Sequence, residues 1–286
     1  MRNYCTLFDK NYLVKGLCLH ESLMEYNSEE ALLYILALDE ATVKTLSRLQ
    51  RQGRLRNTEI IDLRDFENED IKRAKENRSW KEFCWTMASQ LCDGLLNENG
   101  LTNITYLDAD LCFYGDPRIQ HEKQLGGSIF ATPHRIIPER APYFAANGKY
   151  NVGWLTFKHN QTGQQCCHSW AEKCLAKCDE STCGDQRYLD DWPKDFYCCF
   201  RETASFGVNA GPWNISQWKV DKRDDGVYVG EDKLICYHFH EFKKKEDGTF
   251  YYTGWPLQTE AIELIYLPYC ARYAAIEQYL LDIKEI

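Results

Sequence analysis

The chain has 286 residues, 44% of them hydrophobic and 27% charged, with 34 basic against 43 acidic side chains and a formal charge of −9. That length buries a substantial core, as one large or two small domains, and the acidic balance argues against non-specific nucleic-acid binding, which needs a basic footprint. The longest clean apolar run, residues 31–38, is far too short to cross a bilayer.

The first residues contain no apolar signal core, so the expectation is a cytoplasmic chain whose 14 cysteines stay reduced. Seven of these fall close together: Cys166, Cys167, Cys174, Cys178, Cys183, Cys198 and Cys199. No Cys-x-x-Cys pair occurs among them, so buried free thiols are expected rather than a zinc module.

In chain order, residues 4–8 read as a strand and 12–25 as a helix with Leu13, Leu17, Leu19 and Leu23 on a broad apolar face. Between them Phe8-Asp9-Lys10-Asn11-Tyr12 is a short turn carrying an acid, an amide and an aromatic ring. Those groups can cap the helix, and they can also serve the edge and face of a nucleotide base. Residues 31–38 read as a second strand, 40–53 as a helix ending at Gly53, 59–63 as a third strand and 67–78 as a charged surface helix. In 80–96, Phe83, Met87, Leu91 and Leu95 form a helical ladder of i+4 spacing. This alternation of strands and helices predicts an α/β fold with a parallel sheet wrapped by helices.

The next strand runs into Asp108-Ala109-Asp110. In extended chain, i and i+2 share a face, so both acids can point at one ligand. Two hard oxygen donors at the carboxyl rim of an open sheet suit Mg²⁺ or Mn²⁺ with substrate phosphates; a plain surface turn is the alternative. No Gly-x-Gly-x-x-Gly and no Walker loop is present to hold phosphates otherwise.

Residues 113–117 turn the chain away, and 128–132 form a strand closing on His134 and Arg135, which suit either a ligand contact or a sheet end. Residues 136–149 read as a loop, a lid or acceptor-binding segment. Residues 150–157 read as a strand in which Gly153 marks close approach of a ligand or another backbone. A helix is expected over 161–178. Asp185 is placed at the start of a short helix, with Asp190 and Asp191 at a solvated end. The stretch 206–214 is irregular and Gly-rich. Residues 234–242 read as a last strand with His238 and His240 on one face, either of which can complete a site of two carboxylates and one imidazole. Residues 257–284 are mostly helical, kinked or split at Pro268.

Together, residues 8–12, Asp108-Ala109-Asp110, Tyr150-Asn151-Val152-Gly153, Asp185-Gln186 and His238 resemble the nucleotide-sugar glycosyltransferases of the GT-A fold. The match is to the family-8 type, which includes bacterial lipopolysaccharide galactosyl- and glucosyltransferases and glycogenin, in an uncharacterised bacterial branch. The resemblance covers the chain to about residue 240. It implies a GT-A, Rossmann-like mixed but mostly parallel sheet over 1–250, with a helical extension over 251–286. It also implies a Mn²⁺-dependent (or Mg²⁺-dependent) transfer from a UDP-sugar, with retention, to a saccharide or lipid-linked glycan. The implied setting is the cytoplasm or the inner face of a membrane, with peripheral contact at most.

Position by position, the resemblance places Thr6, Phe8, Asp9, Asn11, Tyr12, Asp108, Ala109 and Asn151 around the nucleotide and its sugar. It assigns the metal to Asp108, Asp110 and His238, with His240 as the alternative third ligand, and the reactive face to Asp185 and Gln186. The family's His-x-x-Gly-x-x-Lys-Pro-Trp signature is not intact. This leaves Lys243, Lys244 and Lys245 as candidates for neutralising the diphosphate. A basic residue on the helix before the acidic pair is replaced by Trp85-Thr86, with Lys81 a weak substitute. Two other classes compete. A haloacid-dehalogenase-type phosphatase would carry its Asp-x-Asp on the first strand with a Thr where Cys112 stands. A non-catalytic nucleotide-sugar-binding module would keep the aromatic contacts without needing the metal.

Overall fold

The computed structural model describes residues 2–27, 29–98, 101–123, 126–182 and 184–285. Eight strands build the part that positions the cleft: β1 (Arg2–Phe8), β2 (Ala31–Ala37), β3 (Thr58–Asp62), β4 (Asn103–Leu107), β5 (Leu111–Phe113), β6 (Ile129–Pro133), β7 (Tyr150–Lys158) and β8 (Phe200–Glu202). Seven of them form one sheet in the order β3-β2-β1-β4-β7-β6-β8. β1 is parallel to β2 and β4, β2 to β3, and β6 to β8, whereas β7 runs antiparallel to both its neighbours. The fold is therefore α/β, with a mixed, mostly parallel sheet, as expected.

Two features of this order make a site. Chain direction across the sheet changes at β1, which lies between β2 and β4, and such a switch point opens a crevice at the carboxyl ends of the strands. Because β7 is antiparallel, its first residues sit at that same rim, beside the last residues of β4, with Leu107 opposite Trp154. The β6–β7 register shifts between Ala131 and Thr132, which face Leu155 and Asn151 respectively. A bulge of this kind re-aims side chains next to a site.

Both faces of the sheet are covered. On one side the helix Trp80–Glu98 buries Phe83, Met87, Leu91 and Leu95 with Trp170 and Cys174 of the helix Gln161–Ala176. On the other, the helix Leu13–Asn27 packs its leucines with Tyr266, Tyr269, Ile276 and Leu280 from the C-terminal segment. The segment is helical without a break from Thr259 to Asp282, but its geometry changes just before Pro268: a π-helical stretch over Ile262–Tyr266 leads into Leu267–Asp282, with the proline at the second position of the latter.

Three local expectations change. Residues 113–117 do not simply turn away, because β5 precedes them and pairs antiparallel with Cys236–His238, His238 lying opposite Leu111. The strand expected over 234–242 is confined to Cys236–His238, and Glu241 takes a positive φ of 66°, so His240 is not held on a strand face beside His238. The loop 136–149 contains a 3-10 turn over Ala141–Asn147 and is tied down by Ile137 N–H donating to Trp213 O at 2.9 Å.

All thirteen described cysteines are free, Cys166, Cys167, Cys174 and Cys178 among those buried, and Cys183 lies outside the described residues. No described helix is long and apolar enough to cross a membrane. Leu91 is fully buried in the helix ladder. Leu91→Ala is expected to cost about 2–5 kcal/mol, read as a lower urea midpoint with an unchanged slope.

Candidate active site

A cleft of about 850 Å³ opens at the rim where β1 and β4 end. Its first wall is the turn after β1. The Asp9 carboxylate caps a 3-10 turn over Lys10–Tyr12, accepting from Asn11 N–H at 2.9 Å and Tyr12 N–H at 3.3 Å. It also accepts from Asn11 Nδ2 and Trp80 Nε1, each at 2.9 Å. Asp9 therefore caps and lines the cleft at once. Tyr12 is not a core residue: it is 44% exposed and lines the opening with Phe8, Asn11 and Trp80. Thr6 is a correction. It is fully buried within β1, two residues short of the rim, and is not on the cleft wall.

The floor is the acidic pair. β4 stops at Leu107, so Asp108 and Asp110 do not share a face through the pleat of a strand. They converge because Leu111 N–H donates to Asp108 O at 3.1 Å, closing a turn around Ala109. The β5 pairing then carries His238 to them. Its Nε2 lies 3.0 Å from Asp110 Oδ1 and 3.6 Å from Asp108 Oδ2. Among the described residues, Asp108, Asp110 and His238 are the group whose ligand atoms, all within 4.8 Å of one another, could hold a metal ion. His240 lies on the cleft wall, with its ring 6.3 Å from that of His238, and is not in this group.

Charge is balanced tightly here. Burial opposes ionisation of Asp110, but the His238 imidazole overrides it and holds the carboxyl below its usual range. Burial, with Asp110 adding to it against the pull of His238, pushes Asp108 up to about 6. Burial disfavours the His238 imidazolium, yet Asp110 holds its pKa above the ordinary value. Lys15, which stands three residues after Tyr12 on the first helix, adds a cation 3.8 Å from Asp110 Oδ2. Of the other candidate cations, Lys81 lines the cleft but donates to Glu180 at 3.0 Å, and Lys243, Lys244 and Lys245 are exposed outside it.

A chain of amides links this floor to the far wall. His238 Nδ1 lies 3.0 Å from Asn209 Oδ1, and Asn209 Nδ2 donates to Asn151 Oδ1 at 2.7 Å. Asn151 Nδ2 lies 3.2 Å from both Gln186 Oε1 and His134 Nε2. Gln186 Nε2 in turn donates to Asn147 O at 2.8 Å. Gly153 sits under this chain, and what approaches it is neither ligand nor backbone. A Cβ there would lie 2.7 Å from Asn151 Oδ1 and His238 Nδ1, and 2.9 Å from Asn209 Oδ1. The Gly-rich stretch before Trp213 thus has a purpose: it delivers Asn209, and Trp213 packs edge-on against His238 at 5.1 Å.

Asp185 also lines the cleft, buried, with its backbone fixed by Trp170 Nε1 donating to Asp185 O at 2.9 Å. Its backbone is helical and its side chain makes no capping hydrogen bond, contrary to the capping expectation. Burial, then Cys178 and Asp108, push its carboxyl well above the ordinary range. Gly184 makes this placement possible: its φ is +60°, and a Cβ would lie 2.5 Å from the Trp85 ring. Asp190 is not simply solvated, since it accepts from Lys149 N–H at 2.8 Å and pairs with Arg187 at 2.6 Å. His134 is a cleft residue, and burial followed by His238 lowers its pKa to about 4, so it is neutral at physiological pH.

The structure therefore brings together Phe8, Asp9, Asn11, Tyr12, Asp108, Ala109, Asp110, Asn151, Asp185, Gln186 and His238 on one cleft, and leaves out Thr6. Sequence reasoning missed Asn209, Trp80, Trp213 and Lys15. Only Lys15 carried a signal, its i+3 spacing from Tyr12, which puts both on one helical face.

The donor set fits a divalent cation that accepts mixed oxygen and nitrogen ligands. Asn209 Oδ1 at Nδ1 orients the ring so that Nε2 faces both carboxylates, the usual way an outer partner fixes a ligating imidazole.

No protein-family model matches the chain. It is 33% identical over 260 residues to the uncharacterised protein YfnF of Bacillus subtilis, covering 84% of this chain and 81% of that one. It is 27% identical over 279 residues to YfnD of the same organism, covering 93% and 87%. Among solved structures, the galactosyltransferase LgtC with donor and acceptor sugar analogues superposes with a TM-score of 0.60 at 14% identity, over 96% of this chain and 95% of that one. Mouse xyloside xylosyltransferase 1 superposes with a TM-score of 0.55 at 13% identity, over 84% and 98%. If Asp108, Asp110 and His238 hold a divalent cation, Asn209→Ala is expected to weaken its binding about 10–100-fold with the fold retained, as measured by calorimetry and circular dichroism.

Proposed function

We propose that this chain, which belongs to the family of YfnF and to the GT-A fold of family-8-like glycosyltransferases, moves a sugar from a nucleotide-diphosphate sugar to a saccharide or glycoconjugate. A UDP-hexose is the donor the residues match best. One observation carries this reading. A base-sized turn bearing Tyr12, a cluster of two carboxylates and an imidazole, and the Asp185-Gln186 pair line a single cleft at the switch point of the sheet.

In this reading Tyr12 stacks on the base, and Asn11, tied to Asp9, offers its free carbonyl oxygen to the base edge. Asp108, Asp110 and His238 would hold Mn²⁺ or Mg²⁺, which would supply positive charge to offset that of the diphosphate. Asn151, Asp185 and Gln186 line the sugar, and the amide chain keeps them in register with His238. Transfer breaks the bond from the anomeric carbon to the diphosphate oxygen and forms one to the acceptor oxygen. The acceptor attacks from the face the diphosphate leaves, and its proton passes to the departing phosphate, so configuration is retained. Asp185, held above the usual carboxylate range, suits a hydrogen bond donated to a sugar hydroxyl better than a second anion beside the acidic pair.

The metal dependence separates this enzyme from a binding module. Hydrolysis of UDP-, GDP- and dTDP-sugars with and without Mn²⁺ identifies the donor. Asp110→Asn is expected to lower metal-dependent turnover by about a hundredfold or more, with an unchanged near-ultraviolet circular dichroism spectrum. Turnover of the variant at the wild-type rate would remove Asp110 from the metal site.

A further inference from the structure

Lys15 is used by nothing above, yet it is built into the centre. Its side chain is only 12% exposed, its Nζ lies 3.8 Å from Asp110 Oδ2, and the same nitrogen stands 4.3 Å over the Tyr12 ring. Gly16 beside it lets the helix press onto β1, since a Cβ there would fall 2.3 Å from the Phe8 ring. Among the described residues Lys15 is the only lysine or arginine within ion-pair distance of either aspartate. The single lysine of the cleft wall, Lys81, is already paired with Glu180.

We propose that Lys15 sets the charge of this centre so that it holds a divalent cation together with a nucleoside diphosphate in preference to the cation alone. The inference rests on the functional reading above. Two carboxylates without a nearby cation attract a bare divalent ion and repel a diphosphate. A buried cation beside one of them does the opposite to both. It opposes the free ion, because like charges repel, and favours the ion carrying a polyanion. Lys15 acts by its field and through Asp110, as a positioning residue. The effect grows while the bond to the sugar breaks, because negative charge builds on the departing diphosphate before the acceptor proton reaches it. The field thus favours bond cleavage over the bound donor.

The test is a split in sign that a merely structural role would not produce. Lys15→Met is expected to bind Mn²⁺ alone about tenfold more tightly. Under saturating Mn²⁺ it is expected to bind UDP about tenfold more weakly. Neutral uridine, which meets the Tyr12 end of the cleft without charge, is expected to bind as it does to the wild type. Titration calorimetry measures all three, and manganese electron paramagnetic resonance repeats the first. Lys15→Gln gives the same pattern and decides the matter if Lys15→Met does not fold. Loss of Mn²⁺ and UDP affinity together, no change in either, or a fall for uridine equal to that for UDP overturns the proposal. A wild-type protein that binds Mn²⁺ but takes up no UDP overturns the functional reading instead, and this inference falls with it.

Discussion

The structure depends on bringing two carboxylates together where the sheet sheds water. Asp108 and Asp110 repel one another, and burial makes each costlier to ionise. The fold answers with nitrogen groups from two distant places, the imidazole of His238 and the ammonium of Lys15. Much of the surrounding architecture serves to deliver them. β5 exists to pair with Cys236–His238, and the close contact of Gly16 with Phe8 sets the first helix near the rim.

Rigidity around this cluster comes from groups that do not titrate. Asn209, Asn151 and Gln186 are amides, each able to donate and accept, so they can bridge from an imidazole to a backbone carbonyl without introducing another charge. Satisfied buried networks of this sort fix a single geometry, because any broken member leaves a buried polar atom unpaired. Gly153 contributes by lacking a side chain: the space a methyl would take is already filled by the three polar side chains around it. The antiparallel sense of β7 matters equally, since a parallel strand would have put Asn151 at the opposite edge of the sheet.

The C-terminal segment supports the same centre from behind. Phe239, which follows His238, stacks on Tyr269 with ring centroids 3.6 Å apart, and Tyr237 shares a hydroxyl contact with Tyr266 at 3.1 Å. Phe239 N–H also donates to Asp110 O at 2.9 Å. The aromatic packing that closes the core therefore also fixes the strand pair carrying His238, so stability of this layer and geometry of the cleft are linked.

The sequence by itself determined six strands of the main sheet, though not β5 or β8, with their alternation with helices and the acidic pair, because hydrophobic period and turn residues are local signals. The ladder Phe83, Met87, Leu91 and Leu95 was legible for that reason, and all four side chains are buried. So was the double use of Asp9, whose capping partners lie two and three residues away. The resemblance already put His238 ahead of His240; tertiary structure supplies the physical reason, a pairing of His238 with Leu111, 127 positions away, on a strand that ends at His238. It also decided that the two aspartates converge through a turn, that Thr6 stays inside the sheet, and that Asn209 and Lys15 join the centre. Apart from the i+3 spacing of Tyr12 and Lys15, none of these is written in spacing, because each depends on which side chains long-range pairing brings within a few ångströms, where desolvation and charge set the outcome.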